Sequence, residues 1–206
     1  MGAALSVSEP NRLAIAAISH VVHLGRADVL RLEEELYKTS ARALDGSTTV
    51  THAAYAEGVA QCRIHPADRE ILDRLFVLFD RAGDGIVNVK EMLVGISLMV
   101  KAAPKDKLKL ALELFDHERT GRLSKEELLL ALQWLCKVCA WFGDKPPTAD
   151  ALQGLADRVF VKIGADEEPT DTSYFLYIEP ILTHPLLEDF ISQAEDCPRL
   201  QSNPLD

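Results

Sequence analysis

The segments DRAGDGIVNVKE, residues 80–91, and DHERTGRLSKEE, residues 116–127, are two versions of one twelve-residue pattern, and they begin 36 residues apart. Each starts with aspartate, has glycine at its sixth position and ends with glutamate. Each also has an apolar residue at position 8, Val87 in the first and Leu123 in the second. A repeat with matching ends and a matching interior indicates two copies of one structural unit.

The polar positions of both segments match the requirements of a Ca²⁺ ion. Calcium takes roughly six to eight oxygen ligands, and a helix-loop-helix site supplies them from positions 1, 3, 5, 7, 9 and 12 around a glycine at position 6. Position 7 contributes its backbone carbonyl, and position 12 contributes both carboxylate oxygens. The candidate ligands are Asp80, Asp84, Ile86, Asn88 and Glu91 in the first loop, and Asp116, Glu118, Thr120, Arg122, Ser124 and Glu127 in the second.

The sequence before each loop predicts an amphipathic helix. Apolar residues recur there at the i, i+3, i+4, i+7 spacing of one helical face. They are Leu72, Leu75, Phe76 and Phe79 before the first loop, and Leu108, Ala111, Leu112 and Phe115 before the second. Two such units in tandem predict an EF-hand protein of the all-α class, in which the apolar position 8 of paired loops forms a short two-stranded bridge.

Departures from the ideal pattern predict weak binding. The first loop has Ala82 at position 3 and so lacks one side-chain ligand, while the adjacent Gly83 adds flexibility. The second loop has an oxygen at every ligand position, but Glu118 is longer than the usual aspartate and basic residues surround it. We expect dissociation constants on the order of 10⁻⁵ M or weaker, with the 116–127 loop the better site. The alternative is that one or both loops keep their bend without calcium.

The chain on either side of the two loops is long enough for one more, degenerate hand at each end. Because EF-hands bury their apolar faces in pairs, we expect four hands in two lobes. The first lobe is 1–102, with hand 1 at about 28–62 and hand 2 at 68–101; the second is 103–206, with hand 3 at 104–141, hand 4 at about 150–184 and a terminal helix near 185–191. The outer loops, 43–54 and 166–179, are not expected to bind calcium. In hand 4 the frames ending at 177 and 178 lack the terminal glutamate, and the frame ending at 179 has serine at position 6.

Composition restricts the classes of partner. The formal net charge is −10 and the pI is about 5.1, which argues against nucleic acid and favours a basic, amphipathic helix, although calcium ligands account for part of the acidity. No run approaches the roughly 20 apolar residues of a membrane span, and the N-terminus lacks a secretory signal, so we expect a cytoplasmic protein. Gly2 and Ser6 fit a weak myristoylation pattern, but one acyl chain gives only marginal membrane binding.

The cysteines and histidines are weak candidates for metal binding or redox chemistry. Cys136 and Cys139 fall in the predicted helix after the second loop, where packing is favoured over a redox switch or a zinc site because no further ligands lie nearby. His20 and His23, on the first predicted helix, are expected at the surface or in a groove. The sequence has no phosphate-binding glycine loop, HExxH motif or nucleophile elbow, so we do not expect an enzyme.

The sequence resembles the neuronal calcium sensor and calcineurin B-like branch of EF-hand proteins. The matching positions are Asp73 to Phe76, Phe79, Asp80, Asp84, Gly85, Asn88, Glu91, Gly95 to Leu98, Phe115, Asp116, Ser124, Glu127 and 186–190, with most of them between residues 73 and 130. The resemblance implies a calcium sensor or adaptor that binds an amphipathic or coiled-coil helix of a partner. From ciliary members of the branch it also implies a regulatory or docking subunit of outer dynein arms in the axoneme of a cilium or flagellum. A calcium-independent structural subunit and a calcineurin B-like regulatory subunit are the alternatives.

Calcium at position 12 is expected to pull the exiting helix and open a groove between the helices of a hand. The candidate groove residues are Leu75, Leu93, Ile96, Met99, Leu128, Leu132 and Trp134. Simple core packing explains each of them equally well.

Overall fold

The computed structural model describes residues 21–43, 46–141, 146–162 and 172–184 of the chain. Its helices are α1 Arg26–Thr39, α2 His52–Gln61, α3 Pro66–Phe79, α4 Val89–Met99, α5 Pro104–Glu113, α6 Lys125–Trp141, α7 Ala149–Lys162 and α8 Phe175–Leu182. Its strands are β1 Ala41–Arg42, β2 Thr48–Thr51, β3 Ile86–Asn88, β4 Arg122–Leu123 and β5 Thr172–Ser173. The described fold is therefore mostly helical, as the sequence predicts, with short strands at the loops.

The segment before α1 is attached to the first turn of α3. The backbone N–H of His23 donates to both carboxylate oxygens of Asp68, at 3.1 and 3.0 Å, and Asp68 is buried. The prediction of His23 on a helix is therefore wrong: the residue lies in a non-helical segment, where its backbone N–H bonds to a residue 45 positions away instead of to a neighbouring helical turn. Gly2, His20 and the 185–191 segment lie outside the described residues.

Hands 1 and 2 are joined by the predicted bridge. Strands β2 and β3 are antiparallel, and Val50 lies opposite Val87. This pairing places position 8 of the degenerate 43–54 loop against position 8 of the 80–91 loop, as the sequence predicts. Strand β1 adds to the other side of β2 to form a small three-stranded sheet, which the sequence did not indicate.

Hands 3 and 4 are joined in the same way. Strands β4 and β5 are antiparallel, and Leu123 lies opposite Thr172. Since Leu123 is at position 8 of its loop, Thr172 takes position 8 of the fourth loop, and position 12 falls on Leu176. The frames ending at residues 177 to 179 are therefore wrong. The fourth loop has an exposed leucine where a calcium site has its bidentate glutamate.

A further hydrogen bond confirms that the two pairs are equivalent. The N–H of His52, at position 10 of the first loop, donates to the carbonyl of Gly85 at 3.1 Å. The N–H of Tyr174 donates to the carbonyl of Gly121 at 3.2 Å. Both bonds run from position 10 of a degenerate loop to position 6 of its partner, so the same backbone construction occurs twice.

Buried apolar side chains from all four hands form one continuous cluster. Helix α4 is central to it, because every residue of α4 except Lys90 is buried. It packs against α1 and α5 as well as against α6 of hand 3. The described residues of the two predicted lobes thus share a core, which places the 80–91 loop in contact with elements of hand 3.

Candidate metal centres

The 80–91 loop folds around the carboxylate of Asp80. Its two oxygens accept hydrogen bonds from the backbone N–H groups of Asp84, at 3.1 Å, and Gly85, at 2.8 Å. The Asp84 carboxylate accepts from the N–H of Ile86 at 3.0 Å. Gly83 and Gly85 have positive φ, 69° and 74°, which glycine adopts without a steric cost. The carboxylates at positions 1 and 5 therefore both face the loop backbone, around the bend that a calcium site needs.

The last candidate ligand of this loop, Glu91, has a partner in another hand. It lies in the first turn of α4, where Asn88 Oδ1 accepts a hydrogen bond from its N–H at 3.0 Å. Its Oε1 lies 2.9 Å from Nζ of Lys137 on α6, an ion-pair distance. This buried oxygen has no other hydrogen-bond partner. Burial raises the pKa of Glu91, and the positive charge of Lys137 opposes that shift.

The 116–127 loop is built in the same way around Asp116. One of its carboxylate oxygens accepts from the N–H and the hydroxyl of Thr120, at 2.9 and 3.2 Å, and the other accepts from the N–H of Gly121 at 2.6 Å. The N–H of Arg122 donates to the Thr120 hydroxyl at 3.2 Å. Gly121 has φ of 77°, and Arg119 at position 4 has φ of 56°. A non-glycine residue in this region costs about 1 kcal/mol, so other contacts must hold Arg119 in place.

The ligands at the end of this loop cap α6. The Glu127 carboxylate accepts from the N–H of Ser124 at 2.8 Å, and the Ser124 hydroxyl accepts from the N–H of Glu127 at 3.2 Å. This reciprocal arrangement is a capping box. Glu118 is exposed to solvent. The structure thus brings together the ligands at positions 1 and 5, and separately those at positions 9 and 12.

The residues present fit calcium by their chemistry. All are hard oxygen donors, and the Glu91 carboxylate already holds one cation, the ammonium group of Lys137. Among the described residues, no group of three or more His, Cys, Asp or Glu side chains is placed to hold a metal ion. Binding would therefore require Glu91 to turn from Lys137 toward Asp80, and Glu127 to turn from its cap toward Asp116.

Two ion pairs join α1 to hand 3. Arg119, in the 116–127 loop, donates to Glu33 Oε2 at 2.7 Å, and the Glu33 side chain is only 9% exposed. Arg26 donates to both carboxylate oxygens of Glu113 at the end of α5. Burial raises the pKa of Glu33, while Arg119 acts in the opposite direction. The sequence does not indicate either pair, because their members lie 86 and 87 residues apart and no local pattern marks them.

Lys90 brings the two loops into contact. It occupies position 11 of the 80–91 loop, and its Nζ donates to the carbonyl of Leu114. The same atom lies 4.7 Å from the centre of the Phe115 ring and 3.4 Å from Nε2 of His117, at position 2 of the second loop. Burial lowers the pKa of Lys90 to about 8. A partly buried cation therefore links α4 to the entrance of the 116–127 loop.

The proposed groove residues lie in the core. Leu75, Leu93, Ile96, Met99, Leu128 and Leu132 are buried, and Trp134 is partly buried against them. In this structure these residues therefore pack in the core and do not line an open groove. These side chains can receive a partner helix only if the helices of a hand separate.

The described cysteines support the packing interpretation as well. Cys62, Cys136 and Cys139 are buried. Burial raises the pKa of Cys136 to about 12, which keeps its thiol protonated near neutral pH and disfavours thiolate chemistry. No helix in the described part of the chain combines the length and apolar character needed to cross a bilayer.

The structure contains helix-loop-helix units whose loops are bridged in pairs through position 8. In the 80–91 and 116–127 loops, the aspartate at position 1 holds the loop backbone. These features define the EF-hand class. No protein-family model matches the chain. It is 41% identical to human calaxin over 97 residues, which is 47% of this chain and 43% of calaxin. It is 41% identical over 61 residues to calcium-binding protein K of Dictyostelium discoideum, 30% of this chain and 32% of that protein. It is 25% identical over 131 residues to a guanylyl cyclase inhibitory protein of Lithobates pipiens, 62% of this chain and 60% of that protein.

The chain thus spans less than two thirds of the length of each of these relatives. With the loop geometry, the similarities support an EF-hand protein that resembles calaxin, and they confirm the resemblance inferred from the sequence. Calcium binding is part of the name of one of these relatives, calcium-binding protein K.

Proposed function

We propose that this protein is a non-catalytic calcium sensor or adaptor that binds calcium in the 80–91 and 116–127 loops and engages an amphipathic helix of a partner. The observation that carries the proposal is the matched construction of the two loops. In each one, the aspartate at position 1 accepts hydrogen bonds from the N–H groups of positions 5 and 6. Each loop is also bridged to a degenerate partner through position 8.

Calcium would supply a double positive charge at the loop, which favours bidentate coordination by the glutamate at position 12. In the 80–91 loop, Glu91 would leave Lys137 and turn toward Asp80. Because Glu91 belongs to α4, whose other residues are nearly all buried, its movement would shift the central helix of the core. Such a shift can separate the helices of a hand and expose the apolar side chains now packed between them.

The kind of partner is inferred from the net charge of this protein and from its similarity to calaxin. A net charge of −10 favours a basic helix, and an opened hand accepts such a helix through its apolar face. The similarity to calaxin supports a finer proposal, in which the protein is a regulatory or docking subunit of outer dynein arms in the cytoplasmic axoneme of a cilium or flagellum. A calcineurin B-like role, as the regulatory subunit of an enzyme encoded elsewhere, would use the same surface.

A calcium-independent structural subunit is the second candidate. It is favoured by the closed core and by the ion pairs that join the hands, since these stabilise the structure without metal. The missing ligand at Ala82 points in the same direction. The two candidates differ in whether partner binding needs calcium.

Calorimetry with calcium tests the proposal on the wild type, Glu91→Gln and Glu127→Gln. Each substitution should remove the heat of one site, because an amide cannot replace a bidentate carboxylate. Glu126→Gln is the matched control: it removes the same charge at the adjacent, exposed position and should leave both heats unchanged. If neither Glu91→Gln nor Glu127→Gln changes the binding heat, the sensor proposal is wrong.

A basic amphipathic peptide of about 20 residues, labelled with a fluorophore, distinguishes the two candidates. A sensor should bind it in calcium and release it in EGTA. A structural subunit should bind it equally well in both.

A further inference from the structure

We propose that Lys137 is an internal competitor of calcium at the 80–91 loop and sets the affinity of that loop. Its ammonium group, supplied by hand 3, holds the Glu91 carboxylate until calcium displaces it. The inference deepens the proposed function, because it rests on calcium binding by this loop.

The first argument is that Lys137 and calcium exclude each other. The Glu91 side chain is 11% exposed, and its Oε1 lies 2.9 Å from Lys137 Nζ. A glutamate at position 12 coordinates calcium with both oxygens, so Glu91 cannot bind the ion and keep Lys137 at this distance. An ammonium group left beside a divalent cation would also be repelled by it. Calcium must therefore break this ion pair.

The second argument is that Lys137 is the counter-ion of a buried group. Oε1 of Glu91 has no other hydrogen-bond partner, so the Lys137 ammonium group is what compensates its burial. Lys137 is itself 54% exposed, and its Nζ lies 4.5 Å from the centre of the Trp134 ring on the same helix. The position of Lys137 is thus defined by two contacts, one of which calcium would remove.

The third argument is that α6 touches the same loop at its other end. The ring of Trp141, the last residue of α6, packs edge to face on Phe79 with centroids 4.7 Å apart. Phe79 directly precedes Asp80. Helix α6 therefore contacts the 80–91 loop beside its first and its last ligand. Since α6 begins inside the 116–127 loop, release of Lys137 would also couple calcium binding in hand 2 to hand 3, and the coupling must be reciprocal.

Calorimetry on a Glu127→Gln background isolates the 80–91 loop. In this background Lys137→Met should bind calcium about tenfold more tightly than the parent, because the metal-free protein loses the counter-ion of Glu91. Lys137→Arg keeps the charge and should return the affinity to that of the parent. Lys38→Met is the matched control: it makes the same change in net charge and breaks an exposed Lys38–Glu35 pair of 2.8 Å, so its affinity should stay within about twofold of the parent.

The outcomes separate the inference from the proposed function. If Glu91→Gln abolishes binding but Lys137→Met leaves the affinity unchanged, the inference is wrong and calcium binding stands. If the parent and Lys137→Met both bind no calcium at this loop, the function proposed for the loop is wrong, and the inference falls with it.

Trp134 fluorescence tests the inference without removing Lys137. In Trp141→Phe, Trp134 is the remaining tryptophan of the chain, and calcium should change its emission because the ammonium group leaves its ring. Glu91→Gln should abolish the change. An emission that stays constant at saturating calcium, while calorimetry records binding at the 80–91 loop, contradicts the displacement of Lys137.

Discussion

Replacing Gly95 by alanine should destabilise the metal-free protein by about 2 kcal/mol. Gly95 lies on α4 directly beneath the Phe79 ring. A Cβ at this position would lie 2.0 Å from Cζ and 2.6 Å from Cε1 of Phe79. The ring cannot simply move outward, because Phe79 is buried and Trp141 packs against it with centroids 4.7 Å apart.

The magnitude follows from two opposing effects. Carbon atoms in contact are about 3.5 to 4.0 Å apart, so the Phe79 ring must move by roughly 1.5 Å or the helices must separate. Overpacking of a core costs about 1 to 3 kcal/mol, and a displacement of this size belongs at the upper end. Alanine is favoured over glycine inside a helix by about 1 kcal/mol, which offsets part of that cost. The net loss is therefore about 2 kcal/mol.

Urea denaturation in EGTA, followed by circular dichroism, measures this loss. Gly154→Ala on α7 is the control, because no atom lies within 4 Å of its added Cβ. The free energy of unfolding of that variant should rise by up to about 1 kcal/mol, from helix propensity alone. If Gly95→Ala is as stable as the wild type, or gains stability as Gly154→Ala does, then Phe79 is not held against α4 in the way the structure shows.

Three further predictions concern buried charges and thiols. Arg119→Met should lower the free energy of unfolding by about 2 kcal/mol, because it leaves the Glu33 carboxylate buried without its counter-ion. Adding Glu33→Gln should recover most of this loss in the same denaturation assay. If the free-energy changes of the two single variants simply add in the double variant, Arg119 and Glu33 do not interact. Burial lowers the pKa of Lys90 from 10.5 to about 8, so between these values the unfolded state binds more protons than the folded state and stability rises with pH. Denaturation series at several pH values should show this rise, of at most about 3 kcal/mol, in the wild type relative to Lys90→Met, whereas parallel curves would contradict the shift. Iodoacetamide should alkylate Cys136 slowly in the native protein at pH 8 and rapidly in urea, because burial raises its pKa to about 12. Fast native labelling, followed by mass spectrometry, would show an accessible thiolate instead.

The local parts of the fold could be predicted from the sequence. The apolar position 8 of the two good loops predicted the bridges, and Val50 fell opposite Val87 although its own loop has lost its ligands. Glycine and aspartate at fixed offsets predicted the bends, because their roles depend on the backbone within a few residues. The fourth loop shows the limit of this approach. Its ligand pattern is so degraded that only the pairing of Leu123 with Thr172 fixes its register.

The contacts between hands could not be predicted in this way. Glu91 and Lys137 belong to different hands, and nothing in the sequence near either residue indicates the other. The apolar periodicity of α4 showed which side chains would be buried, but not whether the chain itself or a partner covers them. That choice depends on the free-energy difference between closed and open states, which amounts to a few kcal/mol and is spread over many contacts.

An NMR titration with calcium, following the backbone amides of Gly85 and Gly121, most directly tests whether both loops bind the ion. Each amide donates to the aspartate at position 1 of its loop, at 2.8 and 2.6 Å, and so reports on the carboxylate that calcium would coordinate. Both resonances should shift and saturate by about two equivalents of bound calcium. If Gly85 and Gly121 are both unmoved at about 5 mM calcium, well above the expected dissociation constants, the two loops are not calcium sites.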